Sequence, residues 1–364
     1  MIMKRLSAPL AALLSLTALM APASPAQAQG KPTTFEELAK YKGSDRQQIL
    51  VEGAKKEGKV VWYTTFVIQP LVEEIIKGFN AKYPEVKVEF YRASTDNDLA
   101  QRITAEFTAR RYDVDVITPS GSGPTIAEAG VLAAWDSPLL ADYPVGEAGR
   151  DASGRWVTIT QYVRALGYNT RAVKEADVPK NWDDLLKPYW KGKLVMSNAT
   201  TVAGMIIGGT LDTMGEQKGM EYLKALGKQD IAVVAIGTAA TVDQVAAGQF
   251  DACICAVHTL DILKAKGAPL GYSVLGDTYF QSTQETMLPK NPPHPHAALL
   301  LTDFLIAADG AQKIMLDQKY LPTHPKLTSS HPALAGKKPW VLTPARSLAG
   351  SAKWNNILKE EFLR

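Results

Sequence analysis

Between Val60 and Leu132 the sequence alternates strand-like and helix-like segments three times. The runs VVWYTT, VKVEFYR and DVDVIT are typical of strands because β-branched and aromatic residues dominate them. A helical pattern follows each run, and the first of these helices opens at Pro70 with apolar residues at helical spacing. Consecutive strand–helix units predict a parallel sheet covered by helices, and therefore an α/β fold.

Each of these predicted strands ends in a loop that is rich in hydroxyl groups. Threonine is an ordinary residue at a strand end, so one such loop alone indicates nothing. In open α/β sheets, however, ligands bind outside the carboxyl ends of the strands. The shared chemistry therefore predicts a ligand site formed by Thr64, Thr65, Phe66, Ser94, Thr95, Ser120, Gly121 and Ser122.

The middle of the chain repeats the strand–helix order with KLVMS, IAVVAIGT and DACICAV. Two long β-rich runs, WVTITQYVRALGYNT and the one around Tyr272 to Met287, are suited to crossing between domains. We therefore predict two Rossmann-like α/β lobes with a ligand cleft between them. Residues 29–160 and 283–364 would form the first lobe, and residues 161–282 the second.

The stretch SNATTVAG follows the predicted strand KLVMS and precedes an apolar helical run. A helix that begins here would present free backbone N–H groups to an anion. Plain N-capping uses the same residue types, so that alternative stays open. The candidate ligand residues of the second lobe are Ser197, Asn198, Ala199, Thr200, Thr201, Thr238 and His258.

Arg164 lies in ITQYVRALGY, a run that otherwise reads as buried. A buried arginine needs a negatively charged partner, either a structural carboxylate or the anionic group of a ligand. Tyr162 lies two residues earlier on the same strand face, where it would stack on a ligand or pack in the core. Both residues are included in the candidate site.

The N-terminus has the pattern of a secretory signal peptide. Lys4 and Arg5 precede an apolar stretch from Leu10 to Met20, and Ala26-Gln27-Ala28 fits the small-x-small cleavage rule. A membrane anchor is the alternative, but this apolar run is too short for a bilayer core of about 30 Å. We predict cleavage after Ala28 and export to the periplasm, with no membrane-inserted segment afterwards.

The charge balance bears on possible partners. The formal net charge is +3, and cleavage after Ala28 would lower it by two, whereas nucleic-acid binding usually requires a strongly basic face. The chain is long enough for two domains of about 150 residues each. We expect a monomer that binds a small molecule, with no nucleic-acid partner.

The two cysteines, Cys253 and Cys255, lie at i and i+2 on a predicted strand. Regular strand geometry holds such Cα atoms roughly 6.5 Å apart with the side chains nearly parallel, which suits a disulfide poorly. We therefore predict two buried free thiols, although an exported compartment permits a disulfide.

Four histidines invite comparison with a metal site: His294, His296, His324 and His331. All four neighbour prolines in loop-like sequence, and no helix places two at i, i+4, so solvated loops are the prediction. The sequence contains no G-x-S-x-G, H-E-x-x-H or P-loop motif. We predict no cofactor and no enzymatic activity.

Several stretches together resemble the iron(III)/thiamine-type bacterial extracellular solute-binding proteins. They run in order from about Val51 to Leu316: EGAKKEGKVVWYTT, FNAKYPEVKVEFYRAS, DVDVITPSGSGPTIAEAGVLAAWDSP, YVRALGYNTRAV, NWDDLLKPYWKGKLVMSNATT and NPPHPHAALLLTDFLIAADGAQKIM. The resemblance implies a type II periplasmic binding protein, in which two lobes hinged by two strands close on a ligand. It also implies the permease and ATPase of an ABC transporter as partners.

The chain departs from the ferric-binding members at one position. Those members place adjacent tyrosines after the strand that reads DACICAV here, whereas this sequence has Val257-His258-Thr259. The resemblance implies that SNATT corresponds to the part that holds an anion. Our hypothesis is therefore a small organic anion (a carboxylate, phosphonate or phosphorylated compound) bound at Asn198–Thr201 with Arg164. A metal receptor using His258, an exported enzyme and a sensor subunit are the alternatives.

Overall fold

The structure is a computed structural model that describes residues 31–66, 69–93, 96–120, 122–146, 149–198, 200–328 and 331–363. The predicted signal peptide lies outside the described residues, as do Ser94, Thr95, Gly121 and Ala199. Pro32–Arg364 forms one compact unit, so the boundaries of the two lobes stay a prediction.

The helices are α1 Phe35–Lys40, α2 Arg46–Glu57, α3 Gln69–Lys82, α4 Asp96–Thr108, α5 Gly123–Glu128, α6 Thr200–Ala203, α7 Gly209–Met214, α8 Glu216–Gly227, α9 Thr238–Ala246, α10 Val257–Ala265, α11 Pro295–Ile306, α12 Ala311–Asp317, α13 Pro325–Thr328 and α14 Pro344–Ile357. Two π-helical segments, Gly204–Gly208 and Leu358–Phe362, continue α6 into α7 and extend α14. Short 3₁₀ turns span Pro138–Asp142, Glu175–Asp177, Trp182–Leu186, Pro188–Trp190 and Pro332–Leu334.

The strands are β1 Lys59–Thr64, β2 Lys87–Arg92, β3 Val116–Thr118, β4 Trp156–Asn169, β5 Leu194–Ser197, β6 Ala232–Val234, β7 Ala252–Ala256, β8 Leu270–Ser273, β9 Thr278–Met287, β10 Leu321–Pro322 and β11 Lys338–Leu342. Their main order is β2-β1-β3-β9-β4-β7-β5-β6, and β8 and β10 pair with β4 while β11 pairs with β9. The first three strands are parallel to one another, as are β5, β6 and β7. The predicted α/β class and the two parallel groups are confirmed.

The strands β4 and β9 form an antiparallel pair between the two parallel groups. The first half of β4, Trp156–Val163, pairs with β9, and the remainder from Arg164 pairs with β7 and β8. β9 likewise pairs first with β11 and then with β4 and β3. Two long strands therefore pass from one parallel group to the other, in the two β-rich runs that the sequence predicts to cross.

Separate apolar clusters cover the two parallel groups. Trp62, Phe79 and Leu299 pack in a cluster around β1 to β3, because apolar residues recur on one face of α3 and along α11. Leu194 and Leu223 belong to another cluster on the side of β5 to β7. The sheet thus carries helices and apolar cores on either side of the β4–β9 pair.

The C-terminal tail packs on the side opposite to the predicted one. Trp340, Trp354 and Phe362 belong to the same apolar cluster as Leu194, whereas the sequence assigned residues 283–364 to the first lobe. The reason is β11, which pairs in parallel with the beginning of β9 and so carries the following helix to that side. The packing of β11 and α14 therefore differs from that assignment, and the lobe boundaries stay a prediction.

The two cysteines also differ from expectation. Cys253 and Cys255 are joined in a disulfide, so the prediction of two free thiols is wrong. Their Cα atoms lie 5.6 Å apart. That distance is shorter than in a regular strand and falls within the range that disulfides span. Both residues are fully buried on β7.

A buried ion pair joins the N-terminal region to α11. Arg46 on α2 donates to Asp303 on α11, and both side chains are almost fully buried. Replacing Arg46 by methionine leaves Asp303 buried without its cation, which we expect to lower the free energy of unfolding by about 3–5 kcal/mol. Urea titration measures this loss.

The exposed pair Lys313–Asp317 provides the control, because a Lys313→Met change at the surface should cost less than about 1 kcal/mol. Equal losses in the two variants would contradict the assignment of Arg46 and Asp303 as a buried structural pair.

Candidate functional site

The strand ends of the first parallel group meet at Asp96, the first residue of α4. Thr65 Oγ1 donates to Asp96 Oδ1 over 3.0 Å, and the backbone N–H of Ser120 donates to the same oxygen over 2.8 Å. The hydroxyls of Thr65 and Ser120 are 3.1 Å apart. The structure therefore brings together two of the predicted loops, and it adds the Asp96 carboxylate, which the sequence analysis does not include in the site.

Two neighbours of this cluster face the interior. Thr64 is fully buried, and its Oγ1 accepts a hydrogen bond of 2.7 Å from Thr118 Oγ1. Phe66 is also fully buried and packs edge-on against Trp62 at a centroid distance of 6.0 Å. Both side chains complete the apolar core and its hydrogen bonds, and their contact with a ligand stays a prediction. Ser122 is buried, and its Oγ has no hydrogen-bond partner within the described part of the chain.

The strand ends of the second parallel group lie at α6 and α9. Ser197 Oγ donates to the carbonyl of Ile236 over 2.6 Å, and Asn198 is exposed. Helix α6 begins at Thr200 and continues through the π-helical turn into α7, and Thr238 begins α9. The side chains of Thr200 and Thr201 lie outside the described residues, so their predicted contacts with a ligand stay a prediction.

Arg164 lies on β4, at the residue where that strand leaves β9 and begins to pair with β7. The residue is only 7% exposed, and neither Nε nor Nη1 has a hydrogen-bond partner among the described residues. Burial lowers the pKa of the guanidinium to about 10. Such a shift indicates a cation that the surrounding protein does not compensate.

His258, at the start of α10, lies between two aromatic rings. Tyr320 stacks on it at a centroid distance of 4.8 Å, and Tyr162 meets it edge-on at 5.3 Å. Burial, and then the charge of Arg164, lower the pKa of His258 to about 3, so the imidazole is neutral at physiological pH. Its Nε2 is 3.2 Å from Thr259 Oγ1, and Nδ1 has no partner within the described ranges.

Glu285 on β9 is a buried carboxyl group that the sequence analysis missed. It is 2% exposed; Thr283 donates to its Oε1, and Oε2 has no partner in the part of the chain described. Burial raises the pKa of Glu285 to about 7, and the nearby Asp96 carboxylate adds to the rise. The one sequence signal that could have found it is the polar run QSTQET inside a β-rich segment.

The four remaining histidines are engaged by single carboxylates, so the prediction of solvated loops is wrong for them. The paired side chains are His294 with Asp115 at 2.8 Å, His296 with Glu57 at 2.6 Å, His324 with Asp142 at 3.3 Å and His331 with Asp261 at 3.1 Å. Among the described residues, no three His, Cys, Asp or Glu side chains form a group able to hold a metal ion.

A cavity of about 580 Å³ lies near this region, lined by Asp261, Lys264, Tyr272 and His331 among others. It shares Tyr320 with the surroundings of His258 but includes neither Arg164 nor Glu285. We therefore do not assign it as the ligand site. The described residues also include no helix that is long and apolar enough to span a membrane.

Residues 74–338 match the family model described as bacterial extracellular solute-binding protein. The chain belongs to this family. Its members and the similar proteins below are binding proteins rather than enzymes, as the sequence predicts. The match includes β4, α10 and β9, and therefore Arg164, His258 and Glu285.

Similar proteins include the Fe(3+)-binding periplasmic protein of Serratia marcescens, which is 29% identical over 181 residues. That alignment covers 50% of this chain and 52% of the relative, so it spans only about half the length of the curated protein that it matches.

Two solved structures are similar over most of this solute-binding protein. Iron-bound HitA from Pseudomonas aeruginosa is 23% identical with a TM-score of 0.67, covering 82% of this chain and 98% of its own. AfuA from Actinobacillus pleuropneumoniae, with exogenous fructose-6-phosphate bound, is 20% identical with a TM-score of 0.65, covering 84% and 99%. These similarities confirm the type II periplasmic-binding-protein fold.

The raised pKa of Glu285 has a consequence for the stability of the protein. In the unfolded chain the carboxyl group ionises around its ordinary pKa of 4.5, and in the fold around 7. The folded state therefore binds more protons between these values, so stability falls as pH rises from 4.5 to 7. We expect a loss of roughly 3 kcal/mol from this group.

A Glu285→Gln variant should lack this component. Between pH 4.5 and 7, the free energy of unfolding of the variant should therefore fall by roughly 3 kcal/mol less than that of the wild type. Urea titrations of both proteins across this range measure the difference. Parallel curves would show that Glu285 ionises normally in the fold.

Proposed function

We propose that this solute-binding protein is the periplasmic component of an ABC importer that captures a small organic anion. The ligand would be a carboxylate, a phosphonate or a phosphorylated compound. Closure of the two lobes on the ligand would precede its delivery to the permease and ATPase subunits. The protein binds and releases this solute without transforming it.

The observation that carries this proposal is the uncompensated cation at Arg164. A buried arginine without a carboxylate is costly, because its desolvation is not repaid by an opposite charge. Its Nε and Nη1 are donors in the planar fork that binds carboxylate and phosphate groups. The adjacent His258 is neutral, so it offers hydrogen bonding to a ligand without supplying the missing negative charge.

The position of Arg164 also favours a ligand role. It lies where β4 passes from one parallel group to the other, beside the predicted cleft. Helix α6, which continues into α7, begins at Thr200 in the second group, and the first backbone N–H groups of a helix favour an anion. Arg164, Tyr162, His258 and the helix start at Asn198–Thr201 form the proposed anion site.

A ferric receptor is the second candidate function. It is favoured by the similarity to the Fe(3+)-binding periplasmic protein of Serratia marcescens and to iron-bound HitA. The residues that follow β7 here are Val257, His258 and Thr259, which lack the hard phenolate oxygens that suit a ferric ion. The bound sugar phosphate in AfuA shows that this fold also accepts an organic anion.

Ligand-dependent melting of the exported protein tests the two candidates. The panel contains carboxylates, phosphonates, sugar phosphates, and ferric ion with and without citrate. A ligand at a hundredfold excess over Kd stabilises the native state by about 2.7 kcal/mol, which a melting curve detects. A shift with ferric ion alone, and with none of the organic anions, would overturn the anion proposal. Consumption of a bound compound would instead indicate an enzyme.

Replacing Arg164 by methionine should abolish the anion-dependent shift. The unliganded variant should be as stable as the wild type or more stable, because an uncompensated buried charge is removed. Arg46→Met is the matched control: it also removes a buried arginine, but one that is paired, so it should destabilise the protein and keep the ligand response. If Arg164→Met destabilises to the same degree or retains the ligand shift, Arg164 has a structural role.

A further inference from the structure

Gln284 on β9 is a fully buried glutamine whose amide oxygen and nitrogen are both hydrogen-bonded. Its Oε1 accepts a hydrogen bond from the Tyr162 hydroxyl, and its Nε2 donates to the Thr118 carbonyl over 2.9 Å. Because β9 lies between β3 and β4 in the sheet, this one side chain connects the strands on its two sides. The sequence analysis does not include Gln284 in the site.

The strand register places Gln284 and Tyr162 on one face of the sheet. Gln284 lies opposite Thr160, and Tyr162 and Arg164 follow on β4 at intervals of two residues. Residues two apart on a strand share a face, and diagonal neighbours across a strand pair are within reach of long side chains. The hydrogen bond between Tyr162 and Gln284 therefore lies on the face of β4 that carries Arg164.

On the β3 side, the hydrogen bonds continue to the end of β1. The Thr118 carbonyl also accepts the backbone N–H of Thr65 over 3.2 Å, and Thr118 Oγ1 donates to Thr64 Oγ1 over 2.7 Å. Thr64 Oγ1 in turn accepts the backbone N–H of Phe66 over 3.1 Å. Gln284 is thus anchored to the end of β1 through partners that are themselves hydrogen-bonded.

On the β4 side, the hydrogen bond to Gln284 determines where the ring of Tyr162 lies. That ring meets His258 edge-on at a centroid distance of 5.3 Å, and His258 also stacks on Tyr320. Without its acceptor, the buried hydroxyl of Tyr162 would be unsatisfied, and the ring would gain by turning toward another partner. The position of the imidazole therefore depends on Gln284 through Tyr162.

We propose that Gln284 is a positioning residue of the anion site, which holds the Tyr162 ring against His258 and so fixes the imidazole in place. This inference rests on the proposed function and adds to the site a residue that acts through another side chain. A methionine at this position would preserve the volume of the side chain and remove both of its hydrogen bonds.

Nuclear magnetic resonance of the unliganded exported protein, labelled with ¹⁵N-histidine, tests the first step. A His258→Gln variant assigns the signal among the five histidines. We expect Gln284→Met and Tyr162→Phe to shift the His258 ring resonances, because each removes the hydrogen bond that orients the neighbouring ring. The control Gln229→Met removes a glutamine amide that donates to the Leu186 carbonyl, and it should leave these resonances unchanged.

Calorimetric titration with inorganic phosphate, citrate and fructose 6-phosphate tests the effect on affinity. For each probe that the wild type binds, Gln284→Met and Tyr162→Phe should each weaken binding about three- to tenfold, the range for one hydrogen bond. The double variant should bind no more weakly than the weaker single variant, because both changes remove the same contact. Gln229→Met should keep the wild-type affinity, and melting curves check that every variant is folded.

Gln284→Glu at pH 5 is the conservative variant. A buried carboxyl group stays protonated at this pH, so it can accept from Tyr162 and donate to Thr118 as the amide does. We expect its affinity for each bound probe to match that of the wild type measured at the same pH, whereas Gln284→Met should remain weak.

The outcomes separate this inference from the anion proposal. If Gln284→Met leaves the His258 resonances or the affinity unchanged, or if the losses multiply in the double variant, the positioning role is overturned and the anion proposal stands. Equal weakening by Gln284→Glu and Gln284→Met at pH 5 would also overturn it. If none of the three probes binds the wild type, both proposals are overturned.

Discussion

The backbone ladder between β4 and β9 is the constraint on which the rest of the structure depends. In the main order of the sheet, this antiparallel pair lies between the parallel strands β1 to β3 and the parallel strands β5 to β7. The register of this pair, including the irregularity between Thr158 and Thr160, decides which side chains of β4 lie opposite which side chains of β9. Because a shift by one residue would reverse every side chain, the ladder also positions the site.

The same ladder explains why polar groups are buried at the crossing. Arg164, Gln281 and Glu285 are all buried there and have side-chain atoms without hydrogen-bond partners among the described residues. Such atoms cost stability, and apolar clusters on both sides of the pair supply the compensating burial. A binding protein can use this arrangement, because hydrogen bonds from a ligand to these buried atoms contribute more binding free energy than the same bonds at a hydrated surface.

Local features of the fold could be predicted from the sequence. The strand–helix order along β1 to β3 and β5 to β7 follows from composition and periodicity. Arg164 could be singled out because a charged residue within a buried β-rich run requires a partner. The disulfide was missed because the pucker that brings Cys253 and Cys255 within 5.6 Å is not encoded in their spacing.

The sequence by itself determined the class of fold, the family and the presence of a buried cation, since these follow from local patterns and ordered motifs. Only the tertiary structure decided that Phe66 completes the core, that Asp96 joins two strand ends, and that Glu285 is buried on β9 opposite Thr158. Glu285 is more than a hundred residues from Thr158 along the chain, and strand pairing alone brings them opposite each other. No local pattern specifies such a register, because it depends on how all the strands pack together.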